Sequence, residues 1–306
     1  MPLDARIDTN RGSTTNDASH DELRRLEAGL DSLQAVPETP RGAFRRTLDG
    51  VLPPILLLIA LVAAWQVYIL IVKPRPDLTP GPLDVFDSLV SAWSSDRLQL
   101  AVATSLERGG LGFLIAIAIG TPIGLLLAEC RPVRRALGPL LSGLQVLPSV
   151  AWVPAAIMWF GLTDATVYFV ILMGAVPSIA NGLVSGVDQI PPQLRRVGTV
   201  LGASRLQMAT LVVLPAALPG YFSGLKQGWA FAWRSLMAAE IITMGGTIGF
   251  GLGSMLHQSR ELADLSGVLA TILVILFVGI LVELVIFAPI ERRLLRRRGL
   301  MAAGLR

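Results

Sequence analysis

Lys226, Arg234 and Glu240 lie inside one long apolar stretch, Leu206–Ile242. A charge at the centre of a bilayer costs on the order of 3 kcal/mol, so a helix that keeps three of them faces a bundle interior or a watery cavity, not lipid. Lys226 and Trp233 are seven residues apart and share a helix face, and Arg234 falls about 80° from Lys226 at 100° per residue. Two readings are open. In one, the cations line a path for an anion, since a guanidinium suits the oxygens of an oxyanion. In the other they close an internal ion pair, Arg234 with Glu240 or Glu107. Pro148, with Ser149 beside it, breaks a neighbouring apolar run and is placed on the same path. No catalytic set accompanies these residues. His20 and His257 stand apart, no cluster has metal-ligand spacing, and Cys130 is the one cysteine. Gly224-Leu225-Lys226 continues into Gln227, so no G-x-x-x-x-G-K-[ST] phosphate loop exists. The expected chemistry is gated passage, with no metal or cofactor bound by this chain.

The elements that position these residues follow from composition. Of 306 residues, 53% are hydrophobic and only 16% charged, against about 25% charged in an average soluble domain. Mean hydropathy is +0.62. The profile is that of an all-α polytopic membrane protein, and it excludes a nucleic-acid binder despite a pI near 9.8. Charge-poor windows predict six transmembrane helices. They are Val51–Val72, Gly109–Ala128, one within Ala136–Thr163, Ala165–Val187, one within Leu206–Ile242, and Leu265–Pro289. Arginines set the orientation. Arg41, Arg45, Arg46, Arg131, Arg134, Arg135, Arg195, Arg196, Arg205 and the tail arginines from Arg292 onward fall on one side. The other side holds Lys73, Arg75, Arg97 and Arg260, with Arg108 at its edge. Both termini are therefore expected in the cytoplasm.

GxxxG spacings at Gly120/Gly124, Gly182/Gly186, Gly220/Gly224 and Gly224/Gly228 predict close helix crossings. Pro148 and Pro154, Pro177, and Pro215 and Pro219 mark helices that bend or break. Residues 1–47 read as a cytoplasmic tail with one short amphipathic helix: Ser19 and Glu22 fit a capping box, and Leu23, Leu26, Leu30 and Leu33 follow at helical spacing. Residues 48–295 form the transmembrane domain, and 296–306 a basic tail. Between the first two spans, Val85, Leu89 and Trp93 predict a short amphipathic helix against the outer surface.

Residues 188–215 carry the most specific signal. Pro191 and Pro192 start a helix that runs to about Leu201, Gly202 makes the turn, and Ala203-Ser204 opens a second helix entering the membrane. This inner-face hairpin has a shape suited to docking into another protein. Leu201-Gly202-Ala203-Ser204-Arg205, with nine residues between Gly202 and Val212 and then Leu214-Pro215, resembles the EAA loop of ATP-binding-cassette importer permeases. That pattern is E-A-A, three residues, Gly, nine residues, an aliphatic residue, one residue, Leu-Pro. Gly202, Val212, Leu214 and Pro215 match in register. GLKQGWAFAWRSLMAAEII, GFGLGSML, LQVLPSVAWVPAAIMWFG and Thr104–Arg108 resemble the nitrate/sulfonate/taurine branch, most closely its sulfonate permeases. The resemblance covers about residues 50–295. One departure stands out: the E-A-A positions hold Arg196-Val197-Gly198, which reverses a charge where the family meets its ATPase.

The resemblance implies a permease of type I importer fold. It would work as a dimer with two ATPase subunits, which hold ATP and Mg, and with an extracytoplasmic binding protein, in a bacterial inner membrane. The expected cargo is a small anion, an aliphatic sulfonate or taurine first and nitrate or a related solute next. Arg195, Arg196, Gly202, Ala203, Ser204, Arg205, Val212, Leu214 and Pro215 would couple to the ATPase. Lys226, Trp233, Arg234, Glu240, Pro148 and Ser149 would line the path. The rival reading is a secondary transporter without an ATPase. Such carriers often show paired repeats, and no convincing duplication is found.

Overall fold

The computed structural model describes residues 43–73, 75, 79–245 and 248–297. The expected tail helix between Ser19 and Leu33 lies outside the described residues. The chain divides into two compact units, 1–64 and 65–306. Of the first, the described part is the N-terminal portion of helix α1 (Ala43–Val72). It begins inside the segment expected to be tail. Its length, about 45 Å at 1.5 Å per residue, exceeds the apolar thickness of a bilayer.

The second unit is helical, with no strand among the described residues. The helices are α2 (Pro82–Ser94), α3 (Arg97–Glu129), α4 (Arg131–Val146), α5 (Val153–Phe160), α6 (Asp164–Asp188), α7 (Pro192–Val200), α8 (Leu214–Ile242), α9 (Leu252–Glu261), α10 (Leu265–Val282) and α11 (Ala288–Arg297). A π-helical segment, Met208–Val213, leads into α8, and another, Glu283–Phe287, joins α10 to α11. Helix α11 extends the last span to Arg297, past the expected boundary at residue 295.

Among the described residues five helices are long and apolar enough to cross a membrane, or six if the bent pair Arg131–Val146 and Ser149–Phe160 is one span. The expected third span is not a straight helix: α4 ends at Val146, and the segment Ser149–Phe160 leaves it at 98°. Pro148 sits at the corner, and the chain passes through a 3₁₀ turn, Ser149–Trp152, before α5. A proline there has no N–H to continue the helix and disfavours α geometry in the residue before it. Leu147 accordingly lies in extended conformation. Pro122, Pro177 and Pro219 stay within continuous helices.

Helix α6 is the centre of the core. Its Val167, Val170, Ile171, Ala175, Ile179 and Leu183 are fully buried. Two seams of small residues let α3 and α8 close on it. A Cβ on Gly124 of α3 would lie 2.9 Å from the Ala180 carbonyl, and one on Gly120 would lie 3.1 Å from Ile179. On the α8 side Gly182 meets Gly224 and Gly186 meets Gly220, backbone against backbone. In lipid, where chain tails are as apolar as leucine, such close approach supplies the packing energy. Leu114 and Ile119 of α3 and Leu276 and Phe277 of α10 point outward and are exposed, as lipid-facing residues should be. Helix α2 buries Val85 and packs Leu89 on the core, but Trp93, expected on the same face, is exposed.

Candidate functional site

The three charged residues of α8 occupy three different environments. Glu240 is fully buried near the end of α8 remote from the hairpin. Its carboxylate accepts from the Ser105 hydroxyl at 2.8–3.0 Å, from the Gly253 N–H at 2.9 Å and from Arg108 Nη1 at 3.3 Å. Ser105 in turn accepts from the Leu252 N–H, and Arg108 donates to the Gly249 carbonyl and pairs with Asp164 at 2.8 Å. One carboxylate thus ties α3, α8, the α8–α9 loop and, through Arg108, the start of α6. The glycines of GFGLGSML have a reason here: a Cβ on Gly251 would collide with the Glu240 carboxylate, and one on Gly253 would reach its Cβ at 2.5 Å. This corrects the placing of Glu240 on a path. It also corrects the partner: Arg108, not Arg234, closes the pair.

Lys226 sits two turns from Arg234 toward the arginine-rich end. Its Nζ lies 2.7 Å from Glu283 and 2.9 Å from Glu291. The two glutamates flank the π-helical turn Glu283–Phe287, which lets both reach one ammonium. Lys226 is therefore neutralised by side chains of the last span, and the ion-pair reading holds for it. Trp233 is buried and stacks on Trp229, ring centroids 5.9 Å apart, with its indole edge toward Gly279 of α10. It belongs to the core between α8 and α10 and not to an open path.

Arg234 differs from both. It is exposed, its Nε donates to the Ala230 carbonyl at 3.1 Å, and its guanidinium carbon lies 4.6 Å over the Phe231 ring. Its two terminal nitrogens have no partner among the described residues. Arg234 lines a cavity of about 380 Å³ together with Gln145, Pro148, Ser149, Gly174 and Phe231. The corner at Pro148 forms one wall of this cavity. Ser149 accepts a hydrogen bond from Ser235 of α8 at 2.7 Å, which fixes the corner against that helix. Of the six residues expected on a path, Arg234, Pro148 and Ser149 come together at this cavity.

Gln145 is a residue the sequence reading missed. Its Nε2 donates to Ser178 and its Oε1 accepts from Asn181, at 2.9 and 3.0 Å, so the carboxamide at the cavity wall is held from α6. The available signal was polarity: Gln145, Ser178 and Asn181 are amides and a hydroxyl inside otherwise apolar spans, and a buried amide needs partners.

The hairpin forms as expected. Helix α7 ends with Leu201 as its last cap, and Gly202 follows at φ +76°. The Gly202 N–H donates to the Thr199 carbonyl and the Ala203 N–H to the Gly198 carbonyl, the paired bonds that close a helix on a left-handed glycine. Ser204 then caps the next helix, accepting from the Gln207 N–H while Gln207 accepts from the Ser204 N–H. Gly198, at the third E-A-A position, is buried where a Cβ would strike Met208 and touch Val212. Arg195 is taken by Glu129 of α3 at 3.0 Å, and Arg134 by Asp188 at 2.6–2.8 Å. Arg196 and Arg205 are exposed with no partner among the described residues. No group of histidine, cysteine and carboxylate that could hold a metal occurs among the described residues.

Comparison with known proteins places this geometry. The family model for the binding-protein-dependent transport system inner membrane component matches residues 120–296. The chain is 31% identical over 271 residues to the bicarbonate transport system permease protein CmpB of Synechococcus elongatus, covering 83% of this chain and 92% of that one. It is 30% identical to the taurine transport system permease protein TauC of Escherichia coli over 242 residues, 78% of this chain and 86% of the relative. Among solved structures, an inward facing conformation of the MetNI methionine ABC transporter is similar in fold, with a TM-score of 0.55 and 20% identity. The match covers 63% of this chain and 94% of that one.

Proposed function

This chain belongs to the family of binding-protein-dependent transport system inner membrane components, and from that premise we propose that its Arg234 cavity is the part of an importer's passage that recognises a small oxyanion. It is a permease subunit, not itself an enzyme. The observation that carries the reading is exposed Arg234, which lines the Pro148–Ser149 cavity and whose two terminal nitrogens have no partner among the described residues. A planar fork with both ends free matches two oxygens of one anion. An aliphatic sulfonate or taurine is the first candidate, nitrate or bicarbonate the next. The relatives named for taurine and bicarbonate support an anion of this kind. The binding protein would deliver it, and a second copy of this chain would complete the passage.

The arginine-rich end would face the cytoplasm, where the hairpin would meet an ATPase. Val200 and Leu201 at its tip are 86% and 79% exposed, an apolar surface that a partner would cover. Arg196 stands where the family carries Glu, so the matching ATPase surface would be acidic. Arg196→Glu is expected to weaken assembly with the ATPase, and unchanged assembly would remove that contact from the model.

The test of the passage is uptake into proteoliposomes with the ATPase and binding protein present. Arg234→Ala should abolish ATP-dependent uptake of taurine, alkanesulfonate, nitrate and bicarbonate alike while the complex still assembles. Normal uptake would refute the assignment, and loss of assembly would make Arg234 structural instead.

A further inference from the structure

At the arginine-rich end, a groove of about 940 Å³ runs between the last turns of α3 and the segment that enters α8. Pro122, Leu125 and Leu126 form one wall, Met208 and Ala209 the other, and Arg205 stands at the rim. Pro122 lies seven residues before Glu129, so the groove descends about 10 Å along a membrane-spanning helix. At that depth water is scarce and an apolar cleft open to the side takes up whatever apolar chain surrounds it. Its mouth carries Arg205, which is exposed and has no partner among the described residues, and Glu129, whose charge is taken up by Arg195 at 3.0 Å.

We propose that this groove binds one anionic phospholipid, with an acyl chain between α3 and the π-helical segment Met208–Val213 and the head-group phosphate against Arg205. An apolar slot under a free guanidinium matches that amphiphile. A partner protein's acidic segment would satisfy Arg205 but would not reach the Pro122 floor. The bound lipid would also brace the hairpin. Met208 lines the groove, and its Sδ and Cε are the atoms that a Cβ on Gly198 of α7 would meet. The proposal depends on the helices spanning a bilayer, not on what the hairpin touches.

The full chain in nanodiscs of mixed phosphatidylglycerol and phosphatidylcholine tests it by native mass spectrometry. One phosphatidylglycerol should stay bound per chain in preference to phosphatidylcholine. Arg205→Gln should lower that retention about fivefold, the equivalent of the roughly 1 kcal/mol that a basic side chain contributes at a membrane surface. Leu126→Trp, which fills the slot from an exposed position, should remove retention of both lipids. Arg135→Gln, the same loss of charge elsewhere on the face, should leave it unchanged. Soluble glycerol phosphate should not displace the lipid, because the acyl chain carries the binding. A wild-type measurement guards against misfolded variants. Cys130 is the chain's single cysteine and lines the groove, so its maleimide labelling should slow in phosphatidylglycerol nanodiscs relative to phosphatidylcholine ones. Equal retention of the two lipids, retention that survives both variants, displacement by glycerol phosphate, or unchanged labelling would each overturn the proposal.

Discussion

Glu240 and Arg234 are six residues apart on one helix, about 120° around its axis, and their surroundings are opposites. Glu240 has no exposed surface and several donors aimed at it. Arg234 is exposed at a cavity wall, its guanidinium over the Phe231 ring. A charge removed from water has to be satisfied completely or it destabilises the fold, so Glu240 and Arg108 are spent on holding elements together. A charge left at a cavity wall costs the fold little and keeps its hydrogen bonds for a visitor. Two ionisable residues in one apolar span can therefore serve architecture and recognition separately. The neighbours across the helix interface decide which does which.

The sharpest way to break this contrast is at the buried end. Glu240→Leu takes one carboxylate from Arg108, which keeps Asp164, and leaves the Gly253 N–H and the Ser105 hydroxyl without an acceptor. It should cost on the order of 2–4 kcal/mol, read as the midpoint of unfolding of the detergent-solubilised chain. A loss below about 1 kcal/mol would mean that the cluster is not a lock. Gly224→Leu comes next. It drives a side chain into the Gly182 backbone, and overpacking of that kind costs about 1–3 kcal/mol. Gly138→Leu, where nothing lies within 4 Å, is the control expected to change nothing. Lys226→Met should be milder, about 1 kcal/mol or less, because Glu283 and Glu291 are each about 40% exposed and water can replace the lost partner. A double-mutant cycle with Glu283→Gln would measure that coupling. Arg234→Ala should have the smallest effect on stability, within about 0.5 kcal/mol, as expected for an exposed side chain outside the packed core. A stability loss there comparable to that of Glu240→Leu would erase the distinction between the two regions.

Much of this was legible beforehand. The charge-poor windows located the spans, since in lipid the backbone has to close its own hydrogen bonds and the residues have to be apolar. The hairpin could be read from Pro191, Pro192 and Gly202, because proline and glycine act through local backbone geometry. The GxxxG spacings pointed to the seam that Gly182 and Gly224 form. Other features were hidden. Pro148 announced a break but not a 98° corner, whose angle is set by how Ser149–Phe160 packs against α6 and α8. Trp233 and Arg234 are adjacent, and helical periodicity could not say which of them turned to the cavity. Gln145 drew no notice, because its partners Ser178 and Asn181 lie more than thirty residues away.

By itself, the sequence determined an apolar bundle, its likeness to a known importer family, and the local form of the hairpin at residues 188–215. These depend on composition and on backbone preferences that act within a few residues. Only the tertiary structure decided that Glu240 is a lock held by Ser105 and Arg108, that Lys226 is neutralised from the last span, and that Arg234 has no ionic partner among the described residues. What becomes of a charge in a membrane depends on which groups approach it from other helices, and that is settled when the helices pack.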